Sequence, residues 1–383
     1  MTLFLITFLS LYGGMHAYVY LRLRSTFSLH PVSISWLAAW MGFMTLAPLL
    51  VRLAERGGLE RTALFVAWPA YTWMGGVFIF TALLVAFDAL RSCAWLVNRQ
   101  GWADYPAVLS GAITCELALF LALIASGYAV YEARHPLSDH VTITTSKLPT
   151  GSKVRVVQIS DVHIGLLFRE SRLKGIVQAV AAARPDLLVS TGDLVDGRLS
   201  REDVISHQSR LAAMLAAVKA PGGTFAVTGN HEYYAGLDQA MAFTRTAGFT
   251  LLRNQSLVLA NGITITGIDD EAYRRLGLPA PATTETDLLR AVPAERFHLL
   301  LKHRPVVPAG SDGQFDLQLS GHTHKGQLLP FYPLTWLEYS IHSGTSTMPK
   351  GSRIHVSRGS GTWGPPMRLC APPEVTIIDI VGK

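Results

Sequence analysis

The stretch VRVVQISDVH at residues 154–163 combines the two features that decide the fold. Val154–Ile159 is rich in β-branched residues and predicts a buried strand, and Asp161 and His163 follow it directly. Two later stretches repeat the arrangement, LLVSTGD at 187–193 and TFAVTGNHE at 224–232. Polar residues therefore follow successive predicted strands, where open α/β sheets place their binding sites.

Two more predicted strands lead into histidines. Phe297–Leu301 leads to His303, and Asp316–Leu319 leads to the GHTH stretch at 321–324. Helical spacing separates the earlier strands, and Asn261-Gly262 predicts a hairpin. In the first part of this region predicted strands alternate with helices, and in the later part most predicted elements are strands. We therefore predict an α/β domain with a mixed sheet system over 153–383. Residues 136–152 are predicted to be a linker.

The region before this domain has a different composition. Residues 1–135 hold 8 Lys and Arg and 6 Asp and Glu, whereas residues 136–383 hold 25 and 21. Charged residues make up 16% of the 383-residue chain, below the roughly 25% of soluble domains. The composition predicts that residues 1–135 form a membrane domain.

Four apolar runs are long enough for the roughly 20 residues that a helix needs to cross a bilayer. We predict an α-helical transmembrane bundle of four spans, at Thr2–Leu21, Val32–Val51, 62–87 and Tyr105–Tyr131. A multi-pass protein of a bacterial inner or plasma membrane is the expected class. Glu116 interrupts the fourth run, and either a functional role or a hydrogen-bonded contact between helices explains an acid at that depth.

An even number of spans places the N-terminus and the α/β domain on the same side of the membrane. The first span has no side-chain charge before it, and Arg22 and Arg24 follow it. Because the first helix usually sets orientation by its basic flank, we predict an extracytoplasmic domain.

Charge and cysteine content exclude other classes of protein. The net charge of +6 is not concentrated in one block, so nucleic acid is not an expected partner. Three cysteines do not build a disulfide scaffold. The residues after the strands are carboxylates, imidazoles and one asparagine, a donor set that suits Mn, Fe or Zn. The glycines at 192, 229 and 321 allow sharp backbone turns beside such ions.

The ordered motifs are similar to those of one enzyme family. The chain resembles the calcineurin-like metallophosphoesterases, and their membrane-associated YkuE-like branch, in Asp161-x-His163, Gly192-Asp193, Gly229-Asn230-His231-Glu232, His303 and Gly321-His322-Thr323-His324. Lys325 stands where that branch often has glycine, and four spans replace a short anchor or export signal. The resemblance implies a β-sandwich flanked by helices.

The resemblance also implies a dinuclear metal site and roles for its residues. Asp161, His163 and His324 would hold one divalent ion, with Asp193 as the bridge to a second. That second ion would be held by Asn230, His303 and His322. His231 would be the catalytic residue, as charge stabiliser or general acid, while Asp196 orients a ligand. The implied reaction is attack on phosphorus by a metal-activated hydroxide, with Mn as the favoured metal.

The sequence leaves the substrate open. Four spans favour a phosphorylated membrane-associated substrate, such as a lipid or lipid-linked phosphoester or pyrophosphate. Hydrolysis of soluble nucleotides by a phosphodiesterase, and a silent membrane metal sensor or scaffold, are the alternatives. Lys325, Arg358 and Arg368 are candidates to pair with phosphate oxygens, and the alternative is that they are solvated surface residues. The apolar stretch Leu328–Leu337 is either a buried hairpin or a bilayer-facing lip.

Overall fold

A computed structural model of the chain describes residues 2–102, 104–197 and 202–383. The chain divides into two units, described separately below. The first comprises Met1–Tyr131 with Gly364–Leu369, and the second comprises Glu132–Trp363 with Cys370–Lys383.

The first unit is helical. Its helices are α1 (Thr2–Thr26), α2 (Pro31–Gly57), α3 (Glu60–Arg99) and α4 (Gly111–Glu132). In the described residues, α2, α3 and α4 are long and apolar enough to cross a membrane. The structure thus supports three candidate spans, and the fourth, in α1, is not confirmed.

Helix boundaries differ from the predicted spans at two places. The third span was predicted to end before Asp88, but α3 continues to Arg99, where Asp88 and Arg91 form an i,i+3 ion pair of 3.1 Å. The fourth was predicted from Tyr105, but α4 begins at Gly111 after a short 3₁₀ turn. Glu116 lies on the exposed side of α4, away from the hydrogen-bonded contact between helices that is one of its two explanations.

The second unit contains two six-stranded mixed sheets in the part of the chain described. The first sheet has the order β1-β12-β2-β3-β4-β5 and the second β10-β11-β9-β8-β7-β6. Their strands are β1 (Leu137–Thr145), β2 (Lys153–Ile159), β3 (Leu187–Ser190), β4 (Thr224–Ala226), β5 (Thr250–Leu251), β6 (Gln255–Val258), β7 (Ile263–Ile268), β8 (Phe297–Lys302), β9 (Leu317–Ser320), β10 (Gly344–Thr347), β11 (Arg353–Val356) and β12 (Glu374–Gly382).

The sheets pack face to face around a shared core. Val156 and Val189 of the first sheet belong to one apolar cluster with Leu299 and Leu319 of the second. The other face of the first sheet is covered by helices that bury Leu173 and similar side chains. The helices of this unit are α5 (Glu170–Ala183), α6 (Glu202–Ala216), α7 (Asn230–Ala235), α8 (Leu237–Thr246), α9 (Ala272–Arg275), α10 (Glu285–Arg290) and α11 (Tyr332–Glu338). The α/β prediction with mixed sheets is confirmed.

The predicted linker at 136–152 is wrong over much of its length. Residues 137–145 form β1, which pairs in parallel with β12 over nine residues. The alternation of apolar Val141 and Ile143 with polar neighbours fits a strand buried on one face, with Ile143 in the core between the sheets.

The apolar stretch after the GHTH motif is helical rather than a hairpin. Leu329–Phe331 forms a 3₁₀ turn and continues into α11. Pro330 and Pro333 each lie in the first turn of these segments, where proline is favoured, and proline lacks the N–H that a paired strand needs.

Candidate metal centre

The five motifs meet at one edge of the two sheets. β2, β3 and β4 are parallel neighbours in the first sheet, and β8 and β9 are parallel neighbours in the second. Parallel strands end at the same edge, so the segments that follow them converge there. This convergence explains how residues 161 positions apart in sequence come into contact, as His163 and His324 do.

The backbone at this edge is unusual. Asp161, His163, Asp193, His322 and His324 all have positive φ, between 49° and 73°. A residue with a Cβ adopts this left-handed region rarely and at a cost in free energy, and such residues cluster at functional sites. The surrounding fold therefore maintains a strained arrangement that aims these side chains into one space.

Two glycines permit close packing of the loops. A Cβ at Gly229 would lie 2.1 Å from Asp193 Oδ1, and one at Gly321 would lie 2.2 Å from Asp161 Oδ2. Both distances are far below van der Waals contact. These glycines are therefore required because a carboxylate of the site occupies the space that a side chain would need.

One group of converging donors contains Asp161, His163 and His324. Their ligand atoms lie within 4.8 Å of one another, and all three residues are buried. His163 Nε2 and His324 Nε2 are 3.1 Å apart, and His324 Nε2 lies 3.4 Å from Asp161 Oδ1. The set matches the first predicted group of metal ligands.

A second group contains Asp193, His303 and His322. Asp193 Oδ2 lies 3.1 Å from His303 Nε2, which in turn lies 3.1 Å from His322 Nδ1. The Nδ1 of His303 is 2.8 Å from the carbonyl oxygen of Thr191, so its Nε2 faces the group. Asp193 Oδ2 is also 3.9 Å from His163 Nε2, which places this carboxylate between the two groups.

The donor set fits divalent cations. Asn230 is buried, and its Oδ1 has no hydrogen-bond partner among the described residues. A buried amide oxygen without a donor is costly unless a cation or other ligand satisfies it. Together with two carboxylates and four imidazoles, it forms a set of hard and borderline ligands typical of metal sites.

His231 lies next to these groups, and its ring contacts the carboxylate of Asp196. Its Nδ1 is 3.0 Å from Asp196 Oδ1, and its backbone N–H donates to Asp193 Oδ1 over 2.8 Å. Asp196 thus orients His231, whereas the sequence had predicted that it orients a metal ligand. Donation from Nδ1 to Asp196 leaves Nε2 for contact with a substrate.

Comparison with known proteins agrees with this geometry. The family described as calcineurin-like phosphoesterase matches residues 154–326. An uncharacterized metallophosphoesterase of Aquifex aeolicus is 40% identical over 266 residues, which cover 69% of this chain and 99% of the relative. The chain belongs to the calcineurin-like metallophosphoesterases. It is accordingly a hydrolase of phosphoric ester bonds with a domain that uses divalent metals.

Two other relatives extend the comparison. The uncharacterized metallophosphoesterase YkuE of Bacillus subtilis is 34% identical over 267 residues, covering 66% of this chain and 89% of the relative. A Danio rerio protein, described as a transmembrane protein with a metallophosphoesterase domain, is 30% identical over 322 residues, covering 81% of this chain and 72% of the relative. With the three apolar helices, this likeness supports membrane association.

The charges of this metallophosphoesterase site shift its histidines in opposite directions. Burial lowers the pKa of His163 to about 3. Burial also acts to lower the pKa of His303, but the negative charges of Asp193 and Asp161 outweigh it and raise that pKa to about 10. Burial also acts to lower the pKa of His231, but the negative charges of Asp193 and Asp196 outweigh it and raise that pKa to about 9. Protonated His303 and His231 therefore balance the negative charge of Asp193.

Glu232 has a structural role that the sequence analysis did not assign. Its buried carboxylate accepts backbone N–H bonds from Gly229, Asp193 and Val195 at 2.7, 3.0 and 3.2 Å. It thereby ties the loop after β3 to the start of α7. Burial and the charge of Asp193 raise the pKa of Glu232 to about 7. Its position three residues after Gly229, as in a capping box, was the available signal.

Arg304 is a second residue of the site that the sequence did not predict. Its Nη1 lies 3.1 Å from His322 Nε2, and its Nε donates to Asp270 Oδ2 over 2.8 Å. Tyr339 contacts the same Nη1 through its hydroxyl at 3.3 Å. A basic side chain therefore lies directly behind one of the imidazoles of the second group. Its only sequence signal was its position next to His303.

Two of the basic residues predicted to bind phosphate, Lys325 and Arg358, have different surroundings. Lys325 is half-buried, follows His324 directly and lies 6.0 Å from the ring of Tyr332. Arg358 pairs with the buried Glu374 through Nε at 3.0 Å and with Asp139 at 3.6 Å. These ion pairs tie Arg358 to the start of β12, and its contact with a phosphate stays a prediction.

Proposed function

We propose that this protein is a membrane-anchored dinuclear phosphoesterase that hydrolyses a phosphoester or pyrophosphate bond of a membrane lipid or lipid-linked substrate. The observation that carries the proposal is an exposed apolar surface that follows the GHTH motif. This surface, the apolar lip, comprises Leu329, Phe331, Leu334, Trp336 and Leu337, exposed to 52, 47, 55, 58 and 73%. Exposed apolar patches of this kind mark interaction sites for lipids or proteins.

The metal groups support the hydrolytic part of the proposal. Asp161, His163 and His324 would hold one ion, His303, His322 and Asn230 a second, and Asp193 would contact both. Mn is the favoured metal because carboxylate, imidazole and amide donors without thiolate suit it. Two bound divalent ions supply the charge that activates water and stabilises phosphoryl oxygens.

His231 supplies the proton in this proposal. Its Nε2 carries a proton while the imidazole is charged, and Asp196 stabilises that charge from 3.0 Å. Donation of this proton to the leaving oxygen neutralises the alkoxide as the P–O bond breaks. Tyr234 and Trp363 lie beside the His231 ring, with ring centroids at 5.5 and 5.7 Å, and both are about half exposed. These aromatic side chains are placed to contact the leaving group.

The position of Trp363 also connects the site to the lip. Its backbone N–H donates to Gln327 Oε1, and its carbonyl oxygen accepts from Gln327 Nε2, both over 2.9 Å. Gln327 lies two residues before Leu329, where the lip begins. An acyl chain on the lip would therefore lie close to the aromatic residues that flank His231.

Replacing Phe331, Leu334 and Trp336 of the lip with serine is expected to reduce hydrolysis of acylated substrates and spare a small soluble phosphoester. Each large apolar side chain gains ~1.5–3 kcal/mol on moving from water to an apolar phase, so three supply several kcal/mol. The measurement compares kcat/KM for detergent-dispersed phospholipids and for nitrophenyl phosphate.

A matched control is serine at Leu276, Leu278 and Val306, which are exposed to 49, 43 and 46% and lie outside the lip. These changes should leave both activities unchanged. Equal loss on both substrates in the lip variant, with a lower Tm, would show that the residues stabilise the fold instead. If soluble nucleotides outcompete dispersed lipids for the wild-type enzyme, the protein is a nucleotide phosphodiesterase rather than a lipid enzyme.

The orientation in the membrane stays a prediction with its own test. Arg22 and Arg24 after an uncharged stretch predict an extracytoplasmic phosphoesterase domain. A C-terminal alkaline phosphatase fusion, which functions only outside the cytoplasm, is expected to be active in intact cells. Fluorescence from a C-terminal reporter that matures only in the cytoplasm would place the substrate on the inner leaflet.

A further inference from the structure

A charged cluster joins two helices, α1 and α3, in the first unit. Asp88 of α3 accepts a hydrogen bond from the Tyr18 hydroxyl of α1 over 2.5 Å. Its Oδ1 lies 3.2 Å from Arg22 Nη2 and 3.1 Å from Arg91 Nη1. Two guanidinium groups share one carboxylate, so the cluster carries a net positive charge.

Some N–H groups of the two arginines in the cluster lack a hydrogen-bond acceptor in the part of the chain that the structure describes. Nε of Arg22 and Nε of Arg91 are buried and make no hydrogen bond with the described residues, and Nη2 of Arg22 has only its ion pair with Asp88. Buried donors without partners are rare and cost free energy, most of all when they are charged. Asp88 alone does not satisfy them, and an additional anion would.

An open cleft of about 570 Å³ lies at this cluster. It is lined by Asp88, Arg91, Ser92, Trp95, Tyr105 and Ser110. Arg91 also packs against the start of α4, where a Cβ at Gly111 would lie 3.3 Å from its Nη2. The lining combines a cation and hydroxyl groups, which suit a phosphate, with an exposed Trp95 of the kind found at membrane interfaces.

We propose that this cleft binds the phosphate headgroup of an anionic phospholipid. Arg91 lines the cleft and would donate to the phosphate oxygens, while Arg22, which pairs with Asp88 and does not line the cleft, adds positive charge to the cluster. A lipid is the source that fits, because the cleft lies at the ends of apolar helices and basic pockets between such helices bind anionic headgroups. The site is separate from the metal centre and does not depend on the proposed substrate.

The test uses the full-length protein in mild detergent, with native mass spectrometry to count bound lipid. Phosphatidylglycerol should bind with one high-affinity site, and phosphatidylcholine should not compete for it. Arg22→Gln and Arg91→Gln should each weaken phosphatidylglycerol binding about tenfold, because each removes one positive charge from the cluster and Arg91→Gln also removes a charged donor from the cleft. Arg24→Gln, an exposed residue at the same helix end, should not.

Two further variants separate a lipid site from a structural ion pair. Asp88→Asn removes the competing carboxylate and should strengthen binding, whereas loss of binding in this variant would overturn the proposal. Arg22→Lys keeps the charge and should bind more tightly than Arg22→Gln. Equal binding of the two lipids, or displacement of phosphatidylglycerol by millimolar inorganic phosphate, would also overturn it.

Metal content and hydrolysis of nitrophenyl phosphate provide an independent readout. Both should stay at wild-type values in all of these variants, because the cluster belongs to the first unit. Failure of lipid binding with intact hydrolysis would refute the lipid site alone. Failure of hydrolysis in the wild-type protein would refute the proposed function alone.

Discussion

The Asp193→Asn variant is expected to lose both metal ions and all measurable phosphoesterase activity. Asp193 Oδ2 lies 3.1 Å from His303 Nε2 and 3.9 Å from His163 Nε2, so one oxygen faces both ligand groups. An amide has the same shape but carries no charge with which to balance two divalent cations. Since loss of a residue that supports a ligand costs 10–100-fold in metal affinity, loss of the shared ligand should cost more than about 100-fold.

Elemental analysis of the purified variant, together with its hydrolysis rate, measures this effect. Added Mn should raise the Tm of metal-depleted wild-type protein, because ligands that bind the folded state stabilise it. The variant should show no such shift. Asp196→Asn makes the same chemical change three residues later and should keep its metal. A fully active Asp193→Asn protein with two ions would be incompatible with a bridging carboxylate.

His231→Gln is expected to lower turnover by about 10²–10⁴-fold while metal content stays unchanged. The imidazole lies beside the ligand groups and is held by Asp196, so its removal deletes a proton donor and no predicted metal ligand. The loss should shrink for nitrophenyl esters, whose leaving groups need little protonation. Steady-state kinetics on an alkyl and a nitrophenyl ester, with elemental analysis, measure both parts.

Two controls sharpen the interpretation of His231. Asp196→Asn should produce a smaller loss on the alkyl ester, because it weakens the orientation of the imidazole without removing it. His140→Gln, at an exposed position of β1, should have no effect. If His231→Gln loses metal in proportion to activity, His231 is itself a ligand, as its closeness to His163 and Asp193 permits.

The elements that carry the site were predictable because their signals are local. Leu187–Ser190 is a continuous β-prone run and is β3 in the structure with the same bounds. Three such runs lead through a glycine or serine to a carboxylate or histidine, at Ser160-Asp161, Gly192-Asp193 and Gly321-His322. Because parallel strands end at a common edge, strand prediction alone was sufficient to bring Asp161, Asp193 and His303 together.

Other features depend on contacts that no local pattern encodes. β1 is held by β12, which lies at the opposite end of the domain sequence, so 137–145 resembles a linker when read alone. The role of Glu232 appears only when the loop after β3 packs on α7. The ion pair of Arg358 with Glu374 was not predicted, because the two residues are 16 positions apart in sequence. The structure around these residues is determined by tertiary packing, which local patterns in a single sequence do not encode.

The position of β12 has a consequence for biosynthesis. This strand lies between β1 and β2 in the first sheet, although it follows every other strand in the chain. While the ribosome is still translating the domain, β1 and β2 therefore have a gap between them that no earlier segment fills. Pairing of such distant strands is slow, and an unpaired edge is prone to aggregation. The nascent protein thus stays vulnerable until its final strand emerges, after its apolar helices have already been synthesised.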